Sequence, residues 1–424
     1  MKTKFFRLFP EVIQVSGPKG GALYMLVQAR LFALDQVHND LLRNLEGNHP
    51  LDTAAEQSGM SMDEASDFLK VLEETGAGFF SEYPYFVEKI RPFDPIEDFT
   101  YYRRPFQVPL LHIVLPGKCS QNCRWCYSDG LVFRLKPCLG CSFRLRNMPQ
   151  TLTLDQIRKA LVEARLLGCQ RLKIHTWDFA QVEDLVIETA SIAVAEKIGS
   201  IELFTNAPLP RSLIDDLAER RIVPVFQVYS HRKKYHDSVT GQRGGFARMV
   251  ENFRYMERKG LSFRLFFIST GVGPAPSHVV RSLTKFHPSD IYQDRFLKGL
   301  SEVEDYMYGE KSLVPPGVEE FILKQKGGCC RTGRLTLGPD GSYRPCPGDP
   351  REIGHVAIES IHSLFQRGLI QPFWEGRDMN GAACGACEFR FACHPCPVVI
   401  DQLKGECPIG YDPSTSDWGR PTGQ

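Results

Sequence analysis

Charge of neither sign is in excess: 51 Lys and Arg face 50 Asp and Glu, leaving a formal charge of +1. A clustered basic surplus is what a nucleic-acid footprint needs, so that class of partner is not expected. The chain also lacks a long apolar run. The opening Met1-Lys-Thr-Lys-Phe-Phe-Arg is basic, but Arg7 and Glu11 break its apolar stretch, so a signal peptide is not expected. Nor does any segment approach the length of a membrane span. Cysteine, by contrast, is abundant. Fourteen cysteines without a secretion signal point to reduced thiolates kept for metal and not to a disulfide framework, and to a cytoplasmic location. At 424 residues the chain has room for two or three domains with cores of their own.

The densest cysteine run is Cys119-Ser-Gln-Asn-Cys123-Arg-Trp-Cys126, followed by Tyr127. It follows an apolar segment, Pro109 to Leu115, that ends in Pro116-Gly117, so it lies on the loop leaving a strand. Three thiolates in one short loop leave one iron of a four-iron cube open to a non-protein ligand. The spacing is too tight for a zinc ribbon, whose cysteine pairs sit on two separated knuckles. Here the chain resembles the radical S-adenosylmethionine (SAM) enzymes. The resemblance implies that Cys119, Cys123 and Cys126 hold a [4Fe–4S] cluster whose open iron chelates SAM.

Three regions follow from pattern. In the first, 1–95, Val12–Val15 is strand-like, Gly17 to Gly21 turns, and Ala22 to Leu34 reads as one or two further strands. Helical patterns cover 35–46 and 51–58, and a third helix starts at Ser61, whose capping box closes with Glu64. Gly76 to Phe80 is an extended piece. This arrangement resembles the winged-helix-like peptide-recognition domain beside enzymes that modify ribosomal peptides, which takes a leader peptide as an added strand. A purely structural winged helix is the plainer alternative.

The second region, 104–325, alternates strand and helix, which means a parallel sheet. Strands are expected at 109–115, 171–176, 201–204, 223–229 and 262–269. Helices are expected from the Thr153/Gln156 capping box and at 182–198, 211–220 and 246–259. The fold class is α/β, and the resemblance implies a partial (β/α)6 TIM-type barrel with its chemistry at the C-terminal strand ends. Phe204-Thr-Asn-Ala resembles the Thr-Asn-Gly of the peptide-modifying branch. Tyr229-Ser-His, His236-Asp-Ser-Val-Thr-Gly and Gly244-Gly-Phe resemble its fourth strand and loop. One departure stands out: where the family usually has Gly-Gly-Glu after the second strand, the matching stretch here is His175-Thr176-Trp177-Asp178. Asp178 is a possible acceptor for the SAM ammonium, while Thr176 and Trp177 would crowd an approach that glycine permits. Asn206, Gln227 and Ser230 are further polar candidates for SAM binding, with ordinary surface polarity as the alternative.

The third region, 326–424, opens with Cys329-Cys330, then a hairpin over Arg334–Leu337 and Ser342–Arg344 around Pro339-Asp340-Gly341, closed by Cys346. Cys384-x2-Cys387-x5-Cys393-x2-Cys396 and Cys407 follow. The order resembles the SPASM auxiliary-cluster domain, with one spacing a residue short. The resemblance implies an outer [4Fe–4S] cluster on Cys384, Cys387, Cys393 and Cys407. An inner one would use Cys330, Cys346 and Cys396, with Cys329 a candidate fourth ligand or the site left open. Cys138-Leu-Gly-Cys141, in an insertion, stays open between a metal half-site, a redox pair, a substrate-facing thiol and a loop-stabilising pair. Cys169 reads as a buried small apolar residue.

The expectation is thus a radical SAM/SPASM peptide maturase: three [4Fe–4S] clusters, SAM, hydrogen abstraction from a ribosomally made precursor peptide, then a carbon–carbon or thioether cross-link. A flavodoxin or ferredoxin would donate electrons; no nucleic acid or membrane partner is expected. Two alternatives are a protein maturase of the sulfatase-maturing type and a catalytically inactive, cluster-bearing peptide-binding or electron-transfer protein. The peptide, the residues joined and the oligomeric state are not legible.

Overall fold

A computed structural model describes residues 4–90, 107–119, 121–123, 132–134, 138–141, 145, 148–177, 182–270, 273–298, 313–327, 330–374, 383–393, 396, 398, 411–412 and 417–418. Their packing separates two compact units. One gathers the described residues within 1–101, 304–330 and 375–424, the other those within 102–303 and 331–374.

In the first unit, β2 (Val12–Ser16), β3 (Gly20–Met25) and β4 (Arg30–Asp35) form an antiparallel sheet in that order. The one or two strands expected over Ala22 to Leu34 are therefore two. A further strand that the pattern did not reveal, β1 (Phe5–Leu8), pairs antiparallel with β5 (Gly78–Ser81). Three helices, α1 (Gln36–Glu46), α2 (Leu51–Ser58) and α3 (Met62–Glu74), pack Leu41, Leu42, Leu45, Ala55, Leu69 and Leu72 against β-strand residues Phe6, Leu8, Leu23 and Met25. The Ser61/Glu64 capping box is formed, supplying partners to first-turn N–H groups that the helix itself leaves open.

The other face of that small sheet is also apolar. Val15, Ala22 and Tyr24 share a core with Phe321, Cys387, Phe389 and Ala392. Tyr24 donates its hydroxyl to the carbonyl of Glu388 at 2.7 Å, and burial pushes its phenol well above the ordinary range. The first region and part of the cysteine-rich third region thus fold together, and the hairpin half of that third region folds with the second unit.

The second unit holds a ten-stranded mixed sheet. Its members are β6 (Leu110–Val114), β7 (Val132–Arg134), β8 (Arg171–His175), β9 (Ser200–Thr205), β10 (Ile222–Val228), β11 (Arg264–Ser269), β12 (Asp290–Lys298), β13 (Arg334–Leu337), β14 (Ser342–Arg344) and β15 (Gly354–His355). The order is β15-β14-β13-β6-β8-β9-β10-β11-β12-β7, and every pairing from β13 to β12 is parallel. The helices between are α4 (Leu154–Leu166), α5 (Glu183–Ala195), α6 (Arg211–Glu219), α7 (Lys233–Thr240), α8 (Gly245–Arg258) and α9 (Pro276–Leu283). The Thr153/Gln156 capping box opens α4 as read from the sequence.

Side chains alternate across a strand, so each strand divides its residues between two faces. Leu111, Ile113, Leu172, Ile174, Phe226, Val228, Leu265 and Phe267 meet the helices in one continuous core. Fully burying one such aliphatic side chain contributes about 1.5–3 kcal/mol. The opposite face carries Phe204, Val225 and Phe266, and also His112, Lys173, His175, Glu202 and Gln227. Within the described residues no helix is long and apolar enough to cross a membrane.

One expectation is corrected here. The sequence resemblance predicts a loop after Tyr229, but Lys233–Thr240 is a helix. Its sequence has poor intrinsic propensity, and tertiary contacts decide its conformation.

Candidate functional site

The cysteine loop follows the end of β6 and is held from two sides. On one side the Asn122 N–H donates to the carbonyl of Thr240, the last residue of α7, at 3.1 Å. Gly241 then turns with φ +68°, and a Cβ there would lie 2.9 Å from the Asn122 carbonyl. Only glycine combines that left-handed turn with so close an approach. On the other side Gln121 donates from Nε2 to the Asn206 carbonyl at the end of β9. Asn206 in turn donates from Nδ2 to Cys119 Sγ at 3.4 Å.

The segment resembling the family's fourth strand and loop has a structural explanation. Asp237 accepts from the N–H groups of Gly244 at 2.7 Å and Phe246 at 3.0 Å, so it caps the start of α8 from within α7. His236 Nδ1 accepts from the Tyr229 N–H at 3.2 Å. Burial lowers its pKa to about 4, so the ring is neutral and its acceptor nitrogen stays bare. Together these contacts hold Thr240 where Asn122 meets it.

Cys119 is partly buried and Cys123 is 4% exposed. The Cys119 thiol points to the Trp177 carbonyl at 3.8 Å, and the Cys123 thiol donates to Gln121 Oε1 at 3.2 Å. Trp177 is turned into a small apolar cluster with Val114 and Leu145, against which Cys119 and Cys141 also pack. Thr176 donates its hydroxyl back to the Phe204 carbonyl at 3.2 Å. Packing and hydrogen bonding thereby account for the Trp177 and Thr176 side chains.

Asn206 comes to Cys119, and its Oδ1 is buried with no partner among the described residues. Gln227 is engaged elsewhere: its Oε1 accepts from the Cys141 N–H at 3.0 Å and its Nε2 donates to the Tyr229 hydroxyl at 2.6 Å. Ser230 is fully buried and accepts from the Arg232 N–H at 3.1 Å. Cys126 and Asp178 lie outside the described residues, as do Cys329 and Cys407. Cys387 and Cys393 share the core around Tyr24 in the first unit, where Cys330, Cys396 and the backbone of Cys384 also belong; Cys346, buried, lies in the second. Among the described residues no three metal-binding side chains converge. Cys169 is fully buried, and burial raises its thiol pKa.

The sequence signals had not placed the second cysteine pair. Cys138–Cys141 enters the polar face of the sheet. The Gly140 carbonyl accepts from His175 Nδ1 at 3.0 Å, and Gly140, at φ +64°, sits so close to Phe266 that a Cβ would lie 2.5 Å from its ring. Because a carbonyl only accepts, His175 carries its proton on Nδ1. His175 Nε2 lies 2.9 Å from His112 Nδ1, so the two rings share one hydrogen bond. His112 Nε2 is buried without a hydrogen-bond partner among the described residues. Burial, then His175, holds His112 well below its usual pKa. Below this pair, Lys173 forms an ion pair with Glu202 at 3.2 Å, and Glu202 also binds Arg264 and the Tyr292 hydroxyl.

Residues 113–278 match the family model described as the Radical SAM superfamily. The segment therefore has a radical SAM-like core, and the match covers less than half of the chain. No curated protein matches the chain. Among solved structures, Streptococcus suis SuiB bound to S-adenosylmethionine is similar at 14% identity and a TM-score of 0.50, over 95% of this chain and 97% of that one. SuiB bound to the precursor peptide SuiA is similar at 13% identity and a TM-score of 0.49, over 95% and 98%. Histidine-tagged anSMEcpe with bound AdoMet is similar at 13% identity and a TM-score of 0.49, over 72% of this chain and 90% of that one. The likeness to the first is one of fold.

Proposed function

We propose that this chain is a radical SAM enzyme that modifies a ribosomally made peptide. The observation that carries the SAM reading is the fastening of the cysteine loop between Asn206 and Thr240, with Asn206 Oδ1 buried and without a partner among the described residues. Three thiolates from one loop fit a [4Fe–4S] cluster with an open iron. In this reading Cys119, Cys123 and Cys126 hold that cluster, and Asn206 Oδ1 is an acceptor for the SAM ammonium, with Asp178 a second. Once Cys119 gives its proton up to become a ligand, the Trp177 carbonyl it faces also becomes available to an ammonium. When bound, the cluster and SAM supply reductive cleavage to a 5′-deoxyadenosyl radical that removes a hydrogen atom. The protein's own part is to hold the loop rigid and keep the site dry, with Trp177 closing it on one side.

The finer reading keeps the architecture expected from the sequence: a partial (β/α)6 barrel, a winged-helix-like peptide-recognition domain and a SPASM domain carrying two auxiliary clusters. The peptide substrate is supported by the resemblance of the first region to leader-binding domains and by its small sheet, whose outer strands β2 and β4 are the edges to which a leader could add. Cross-linking through carbon or sulfur, and electrons from a flavodoxin or ferredoxin, complete the proposal. The test is 5′-deoxyadenosine release from SAM by the anaerobically reconstituted, reduced protein. Replacing Cys119, Cys123 and Cys126 by Ala should abolish it and remove about four irons of about twelve. A colourless, zinc-bearing protein after reconstitution would sink the reading.

A further inference from the structure

We propose that Asn206 tunes the reduction potential of the four-iron cluster on Cys119, Cys123 and Cys126. It acts through Cys119: the side-chain N–H favours the reduced cluster, so a weaker one-electron donor suffices to reduce it. The proposal rests on the radical SAM reading above.

Asn206 is held in place from several directions. It directly follows β9 and is 3% exposed. The Phe204 carbonyl accepts from the Thr176 N–H at 3.1 Å and from the Thr176 hydroxyl at 3.2 Å. The Thr205 hydroxyl donates to the Ala207 carbonyl at 3.1 Å and accepts from the Ala207 N–H at 3.2 Å. Between them the Asn206 carbonyl takes Gln121 Nε2 from the cysteine loop. From this fixed backbone the side chain donates from Nδ2 to Cys119 Sγ at 3.4 Å.

Loss of the sulfur proton sorts these contacts. Cys119 faces the Trp177 carbonyl at 3.8 Å, and Cys123 donates to Gln121 Oε1 at 3.2 Å. Both contacts need a thiol hydrogen and lapse once the sulfur is a thiolate ligand. The bond from Asn206 needs only a sulfur lone pair, and it strengthens as negative charge builds there. Reduction brings one electron from an external donor, and part of its charge spreads onto the ligand sulfurs. An N–H dipole aimed at one of them therefore stabilises the reduced state more than the oxidised one. Burial enlarges the effect, because little water is present to screen it.

The test is an anaerobic redox titration of the full-length reconstituted protein without SAM, followed by electron paramagnetic resonance. Protein with Cys119, Cys123 and Cys126 replaced by Ala supplies the background from any other clusters. Omitting SAM keeps the proposed ammonium contact of Asn206 Oδ1 out of the measurement. Asn206→Ala retains the backbone bond to Gln121, so the first cluster should form and its midpoint should fall. At a fixed ambient potential the reduced-to-oxidised ratio should drop about tenfold, or about 59 mV for one electron. Asn206→Leu, which keeps the bulk and excludes water, should fall at least as far. Midpoints equal to the parent's in both variants overturn this proposal alone. So does failure of both variants to form the cluster, which makes Asn206 a structural support. A parent without any first-cluster signal overturns the radical SAM reading as well.

Discussion

Acid should loosen the support of the cysteine loop before it unfolds the rest of the chain, and His236 is the reason. Its ring is 1% exposed, accepts a hydrogen bond on Nδ1 from Tyr229, and has its pKa lowered by burial from 6.5 to about 4. The unfolded segment binds a proton near pH 6.5 and the folded one only near pH 4. Between those values the open form carries more protons, so stability falls as pH falls, and above pH 6.5 the contribution is complete. Linkage over two and a half pKa intervals is worth about 3 kcal/mol in all, of which about 2 kcal/mol is lost between pH 7 and pH 5. The assay is hydrogen exchange resolved to peptides covering residues 229–245, corrected for the intrinsic dependence of exchange on pH. Protection there should fall about twentyfold from pH 7 to pH 5. In His236→Asn, whose side-chain oxygen can take the Tyr229 N–H without titrating, the corrected protection should stay nearly level. Equal losses in parent and variant would refute the assignment.

Other expectations follow from the same contacts. Asn206→Ala removes the donor to Cys119 and the Oδ1 acceptor proposed for the SAM ammonium, so SAM affinity should drop about tenfold to a hundredfold with iron content nearly unchanged, as read by equilibrium binding. Gly241→Ala forces a left-handed residue, costing about 1–2 kcal/mol, and drives a methyl against Asn122. It should therefore lower first-cluster occupancy measured by iron content and electron paramagnetic resonance, and full occupancy would discount the role of this turn. If the first region catches a leader, a labelled leader peptide should bind the full-length protein with about micromolar strength in fluorescence anisotropy. Absence of binding at high micromolar protein would reduce the region to a structural role.

Much of this molecule was legible because the deciding interactions are local. The capping boxes Ser61/Glu64 and Thr153/Gln156 each close within one helical turn, and both are formed. The Pro339-Asp340-Gly341 turn makes its hairpin because Asp340 receives the Ser342 N–H and Gly341 adopts φ +86°. Alternating strands and helices announced a parallel sheet, since each strand's apolar run must be covered on the helix side. The position of Cys119 and Cys123 on a loop after the first of those strands was equally plain from Pro116-Gly117.

Tertiary structure decided the rest, wherever partners are distant in sequence. Strand β1 meets β5 across more than seventy residues, and no local signal names that pairing. Helix α7 has weak propensity and stands because His236, Asp237 and Thr240 each find a partner outside it. Gln227, a candidate cofactor contact by sequence, is bonded to Cys141 and Tyr229, and His175 holds the Gly140 carbonyl and pairs with His112, contacts that no sequence signal named. A residue's type limits which bonds it can make. The fold alone chooses the partner, because hydrogen bonds and burial depend on distances that chain order does not contain.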